Sequence, residues 1–321
     1  MKEKVIDLLK RYNPSTYPVY NLNVDFLADE YQDKDVLPHD LARSTAEKTT
    51  KHLEEIINIS TEENSYNRQT TFLRYFLDGT RKIYYLYDMA TSDGNIMPIL
   101  AGQIAATVLK RDRDEGKLYV HKYCRKGLIL LPTGGGGLNE GDAQELKEKI
   151  ALQYPDDVLS VAFVKEKGPK EPTYYSISKL NMEMQNLEID FLASLANDKE
   201  VDQENIVVVD GALQFRNIKK ERISYLRYAI GLSKSFNLHL TNVIGKNKEI
   251  GSLLIRLDNV GDRTIAYKLQ IDDKKYAFWY LRIRPKKYMN YPFGGIVKIE
   301  KVLVTPEENE DGLSSECQAH S

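Results

Sequence analysis

Two stretches far apart in the chain share one pattern, an apolar run that ends in Asp-Gly. In residues 74–81, RYFLDGTR, Asp78 is followed at once by Gly79. In residues 206–215, IVVVDGALQF, four apolar β-formers lead into Asp210 and Gly211. Asp-Gly is a common turn dipeptide, and a single instance reads first as a hairpin. The run before Asp210 changes that reading, because a continuously apolar segment marks a strand buried on both faces of a sheet. A carboxylate ending such a strand is costly unless it is paired or ligates a cation. Two such strands converging would make a site for hard divalent ions.

The rest of the chain is read around these two units. Residues 1–12 have an amphipathic period, with Val5, Leu8 and Leu9 on one face, and predict a short helix that Pro14 and Pro18 end. Residues 25–59 are polar and helix-leaning, with Leu41, Ala46, Leu53, Ile56 and Ile57 at roughly helical spacings. Together with a polar loop at 60–69 they predict a helical N-terminal arm, residues 1–69, that packs on the core or on a partner subunit.

From Thr71 the period becomes that of strands, expected at 72–87, 96–110 and 117–131. Turns with Asp/Gly chemistry at 91–95 and 111–116 join them, so an antiparallel meander is expected. The four glycines at 134–137 read as a linker, since no Lys-Ser/Thr succeeds them as a phosphate loop requires. Residues 142–153 are expected to be helical with Asp142 as cap, and 159–164 a short strand. The longest helical pattern is 176–197, where Leu180, Met184, Leu187, Phe191 and Leu195 recur at helical spacing. It hands over to the strand ending at Asp210, which signals an α/β layer. A further helix is expected at 218–232 and strands at 238–245, 253–257, 266–271, 276–283 and 296–304. An acidic, frayed tail is expected at 306–321.

Three strands joined by hairpin turns, then helix, strand, helix, strand, is the order of an RNase H-like core. The expected fold class is therefore α/β, an RNase H-like mixed sheet over residues 70–305 with flanking helices plus the helical N-terminal arm. The composition agrees with a globular chain: 321 residues, 42% hydrophobic and 29% charged. The net charge of -2 does not advertise nucleic acid, but RIRPKK (Arg282, Arg284, Lys286, Lys287) and NIKKER (Lys219, Lys220, Arg222) are dense local cationic clusters. Two cysteines, Cys124 and Cys317, cannot build a disulfide framework, which fits a reducing cytoplasm. No signal peptide or bilayer-length apolar run is visible, so no membrane association is expected. Twenty-one Tyr against nine Phe suggests many half-exposed aromatic rings.

Two-metal hydrolysis in an RNase H-like core needs acids on the first strand, on a helix and on a later central strand. The two ions then sit about 4 Å apart and clamp the attacking and leaving oxygens. Asp78 and Asp210 fit the strand roles. The 176–197 helix offers Glu183, Glu188 and Asp190, although an exposed charge is the usual fate of a helical Glu. Glu188 is preferred because it lies nearer the end that feeds the Asp210 strand.

At these residues the chain resembles the NurA family of DNA-end-processing nucleases that work with the HerA hexameric ATPase. The matching pieces are FLDGTR (76–81), VVVDGAL (207–213), NVIGKNK (242–248) and the late YLRIRP…PFGGIVKIE (280–300), with Gly294-Gly295 where the family often has Arg. The resemblance covers about residues 70–321. It implies metal binding by Asp78, a helix Glu (Glu188 preferred here, Glu183 the alternative) and Asp210, with Mn2+ or Mg2+ as the ion. It also implies a phosphate contact from Lys248, a DNA backbone held by Arg81, Lys248, Arg282 and Arg284, and a late His, matched by His320 in QAHS. The implied partners are DNA, a HerA-like ATPase docked through the N-terminal arm, and a second copy in a homodimer. The implied role is DNA-end processing in repair or defence against phage. Two other readings stay open: a non-catalytic subunit that keeps the fold and regulates the motor, and an RNase H-like protein acting on RNA.

Overall fold

The structure, a computed structural model, describes residues 4–18, 46, 52–59, 71–91, 94–134, 137–154, 158–165, 172–215, 218–271 and 273–313. In chain order these form helix α1 (Val5–Tyr12), strands β1 (Thr16–Pro18) and β2 (Ile56–Asn58), and three long strands, β3 (Leu73–Ala90), β4 (Ile96–Arg111) and β5 (Leu118–Thr133). Next come helix α2 (Glu140–Ala151), strand β6 (Leu159–Lys165), helix α3 (Pro172–Asn197) and strands β7 (Ile206–Asp210) and β8 (Ala229–Ser233). The last third holds α4 (Gly251–Leu254), β9 (Asp262–Thr264), β10 (Tyr267–Ile271), β11 (Lys274–Arg282), β12 (Ile296–Val302) and α5 (Pro306–Asp311).

All twelve strands belong to one mixed sheet. Its main order is β2-β9-β11-β12-β8-β7-β3-β4-β5-β6, with β1 on β3 and β10 on β11. The three long strands are neighbours in chain order, as their hairpin chemistry predicts. At the turn after β4, Asp112 Oδ1 accepts from the N–H groups of Asp114 (2.9 Å) and Glu115 (2.8 Å), and Gly116 closes it in the left-handed region. β7 lies parallel to β3, and β8 parallel to β7. β6 is parallel to β5, while β12, β11, β9 and β2 continue in antiparallel pairs. Parallel neighbours on both sides bury Val207, Val208 and Val209, which accounts for the unbroken apolar run before Asp210.

The chain divides into two compact units. One takes in the described residues of Met1–Asp33, Gly79–Thr107 and Lys122–Glu188. Its core joins Leu8 and Leu9 of α1 to Met89, Ile99 and Ile129 on the strands and to Leu146 and Ile150 of α2. Asn139 caps α2, its Oδ1 accepting from the Asp142 N–H at 2.8 Å, so Asp142 stands three residues inside the cap it was expected to be. Leu180 of α3 packs so tightly on Gly102 that a side chain at 102 would collide with it.

The other unit takes in the described residues of Lys34–Asp78, Val108–His121 and Ile189–Ser321. Val208, Ile230, Ala277, Trp279, Val297 and Ile299 form its core. The expected helix at 218–232 is a 3-10 turn, Lys220–Leu226, succeeded by β8, because AIGLS pairs in register with Val207–Asp210. The expected strand at 238–245 is irregular: Asn237 Oδ1 accepts from the His239 N–H, and Asn242 is left-handed. The run at 253–257 begins in a single helical turn, α4. Ile56 and Ile57, expected on a helical arm, pair in β2 with Thr264 and Arg263. Most of that arm lies outside the described residues. The expected tail begins with a capped helix, α5, and Leu313 beyond it is buried with its N–H on the Ala46 carbonyl at 2.6 Å.

Candidate active site at the two Asp-Gly units

β3 and β7 run parallel in register, Phe76 against Val208 and Leu77 against Val209. The next residues on each strand are Asp78 and Asp210. The two Asp-Gly units, more than a hundred residues apart in sequence, therefore lie on neighbouring strands, their backbones about 4.8 Å apart by strand spacing. Asp210 ends β7 as expected, but β3 does not turn at Gly79 and runs on to Ala90, so Asp78 stands within its strand. Both acids are exposed. Asp210 is the last residue of β7, and the carboxyl ends of parallel strands are where open α/β sheets bind their ligands.

The chain leaving β7 fixes Asp210 in place. Gly211 has φ 128°, a conformation that glycine adopts readily. The chain then crosses closely over β8: a Cβ on Gly231 would lie 2.6 Å from the Gly211 carbonyl oxygen. The Gly211 N–H donates to Leu232 O at 3.0 Å. Beneath this crossing Glu300 accepts from the Leu213 N–H (3.0 Å) and from Gln214 Nε2 (2.9 Å). Glu300 also pairs with Lys298 at 2.7 Å, each side chain 1% exposed. Glu300, part of the late motif, thus anchors the loop that follows Asp210.

Lys234, just past β8, places Nζ 2.7 Å from Asp210 Oδ2. Asp210's hydrogen bond and charge, with Asp78 adding to them, hold the ammonium above its ordinary value. Sequence reasoning missed Lys234, because reading 218–232 as a helix hid the strand that delivers it. The signal was a lysine one residue beyond a short β-forming run.

Of the other expected site residues, Glu188 of α3 is 6% exposed, and its carboxylate fills the space over Gly79, with Met184 Cγ 3.2 Å from where a Cβ would stand there. Glu183 pairs with Lys179 at 2.6 Å, and Asp190 accepts from Arg222 at 3.0 Å. Burial thus distinguishes Glu188 from the other two helix acids. Lys248 is paired with the Glu54 carboxylate, which it holds below its ordinary range, chiefly through their hydrogen bond. Arg81 is half-buried on β3, and Arg284 is exposed just after β11. Arg282, expected against a DNA backbone, is instead 0% exposed, its guanidinium donating to backbone carbonyls of Pro292, Gly294 and Leu257. His320 lies outside the described residues.

Among the described residues no three His, Cys, Asp or Glu side chains come together as a metal-binding group. The two neighbouring carboxylates fit a hard divalent cation by donor chemistry, oxygen ligands suiting Mg2+ and Mn2+. The Lys234 ammonium competes with such a cation for Asp210. No helix among the described residues is long and apolar enough to cross a membrane. No protein-family model matches the chain, and no curated protein matches its sequence.

Proposed function

We propose that this chain is a divalent-metal-dependent DNA nuclease of the NurA type, cytoplasmic and dimeric, working with a HerA-like hexameric ATPase. The observation that carries the reading is the register of β3 and β7, which makes neighbours of Asp78 and Asp210. The strand order β5-β4-β3-β7-β8, with β7 parallel to β3 and β8 parallel to β7, supports an RNase H-like core.

In this reading Asp78 and Asp210 are the ligand pair. Mn2+ or Mg2+ bound there supplies an activated water and charge neutralisation at the phosphodiester. The chain's own residues hold that site: Gly211 and Gly231 let the chain turn sharply, and Glu300 ties down the loop behind Asp210. Exposed cations such as Arg284 would hold the DNA backbone without reading sequence.

The second reading, a non-catalytic subunit that binds the motor, is favoured by the Lys234–Asp210 ion pair, which occupies one of the two acids. The two are separated by digesting end-labelled linear DNA in Mn2+, with and without the ATPase, using wild type and Asp210→Asn. The nuclease reading expects metal-dependent shortening that the substitution abolishes. Intact DNA under every condition, with the ATPase still bound, overturns it.

A further inference from the structure

The connection from β11 to β12, residues 283–295, contains Arg284, Lys286 and Lys287 and no acidic residue. Its backbone is held from inside. Arg282 Nη1 donates to Gly294 O at 2.9 Å, and Nη2 to Pro292 O at 2.7 Å. The Ile283 N–H donates to Gly295 O at 2.8 Å, closing the base of the loop. Lys286 pins its near side, with Nζ 2.6 Å from Asp258 Oδ1 and 2.8 Å from Ile255 O. A buried guanidinium directed at loop carbonyls stabilises one loop conformation, and a rigid loop loses less entropy on binding.

The outer side of the same loop is left to solvent. Tyr288 is 69% and Tyr291 59% exposed. Arg284 and Lys287 are exposed beside them, and Lys287 Nζ stands over the Tyr288 ring at 4.9 Å. Two rigidly presented rings interleaved with cations match a ligand that offers flat apolar faces and negative charge together. Single-stranded nucleic acid offers both, whereas a duplex hides its base faces in the stack. An acidic peptide would use the cations but has no need of two exposed rings.

We propose that residues 284–291 form a preorganised stacking loop for single-stranded DNA, with Tyr288 and Tyr291 against bases and Arg284 and Lys287 on phosphates. The choice of DNA rests on the nuclease reading. The loop stands on its own geometry.

The test is fluorescence anisotropy with labelled dT20 and a 20-bp duplex in EDTA, so that cleavage plays no part. Tyr288→Ala/Tyr291→Ala is expected to weaken dT20 binding about tenfold or more, at the scale of base–aromatic stacking, and to leave duplex binding unchanged. Arg284→Ala/Lys287→Ala is expected to weaken both and to lower the salt dependence. The four side chains are exposed, and an unchanged melting temperature checks that the variants fold. Wild-type dT20 affinity in the tyrosine variant, or equal losses on dT20 and duplex, would overturn the proposal. A wild type that digests DNA while the tyrosine variant binds dT20 normally leaves the nuclease reading standing. Loss of dT20 binding in a chain that digests nothing does the reverse.

Discussion

Replacing Gly231 by alanine would put a methyl group 2.6 Å from the Gly211 carbonyl oxygen and 3.1 Å from the Leu213 nitrogen. Both are backbone atoms and cannot swing aside as a side-chain tip can. The crossing must therefore lift away from β8, and Asp210 lies at its start. Gly231→Ala is expected to destabilise the fold by about 1–3 kcal/mol, the usual range for overpacking, measurable by urea denaturation. That Asp210 closes β7 was legible because a carboxylate ending an apolar run is unusual in itself, whereas the run of β3 past Asp78-Gly79 to Ala90 was not, since Asp-Gly reads as a turn. Arg282 was not, since the carbonyls that bury it come from Leu257, Pro292 and Gly294, and nothing in RIRPKK marks one cation as inward. Lys234 was hidden by the misread strand before it. Glu188 could be preferred over Glu183 only by position along the helix, and the sequence carried no sign that it would be the buried one of the two.

Among the elements, α5 shows how a segment read as a frayed tail is ordered. Thr305 caps it in a full capping box with Glu308, and Glu308 also reaches Lys301 at 2.9 Å and the Val304 N–H at 2.8 Å. Burial pushes the Glu308 carboxyl up, but Lys301 and the N–H groups of Val304 and Thr305 outweigh it and hold the group below its ordinary value of 4.5. A carboxylate whose pKa is lower folded than unfolded adds stability that is fully present above the unfolded value and lost as pH falls through the folded one. Glu308→Gln is therefore expected to flatten the fall in stability below about pH 4.5, read as the urea midpoint between pH 5 and 3. Thr305→Ala should cost about 1 kcal/mol at pH 7. Long elements with a clear period, β3, β4, β5 and α3, were legible. The stretch 218–257 was not: β8 has five residues and α4 four, too few to display a period, and β8 is specified by parallel pairing with β7.

For the molecule as a whole, a net charge of -2 leaves nothing to draw DNA in from a distance. In the proposed reading, nucleic-acid contact would come from local features such as the 284–291 loop, with delivery by a motor partner. The proposed chemistry depends on something narrower, one cation site made from two acids that the chain brings together across more than a hundred residues. Titrating Mn2+ into the full chain and tracking the free ion by electron paramagnetic resonance probes that site, with Asp78→Asn, Asp210→Asn and Lys234→Met beside the wild type. Each Asp substitution is expected to weaken Mn2+ binding tenfold or more, about 1.4 kcal/mol, and removing the competing ammonium to strengthen it. Wild-type affinity in both Asp variants would show that the two acids do not hold the ion.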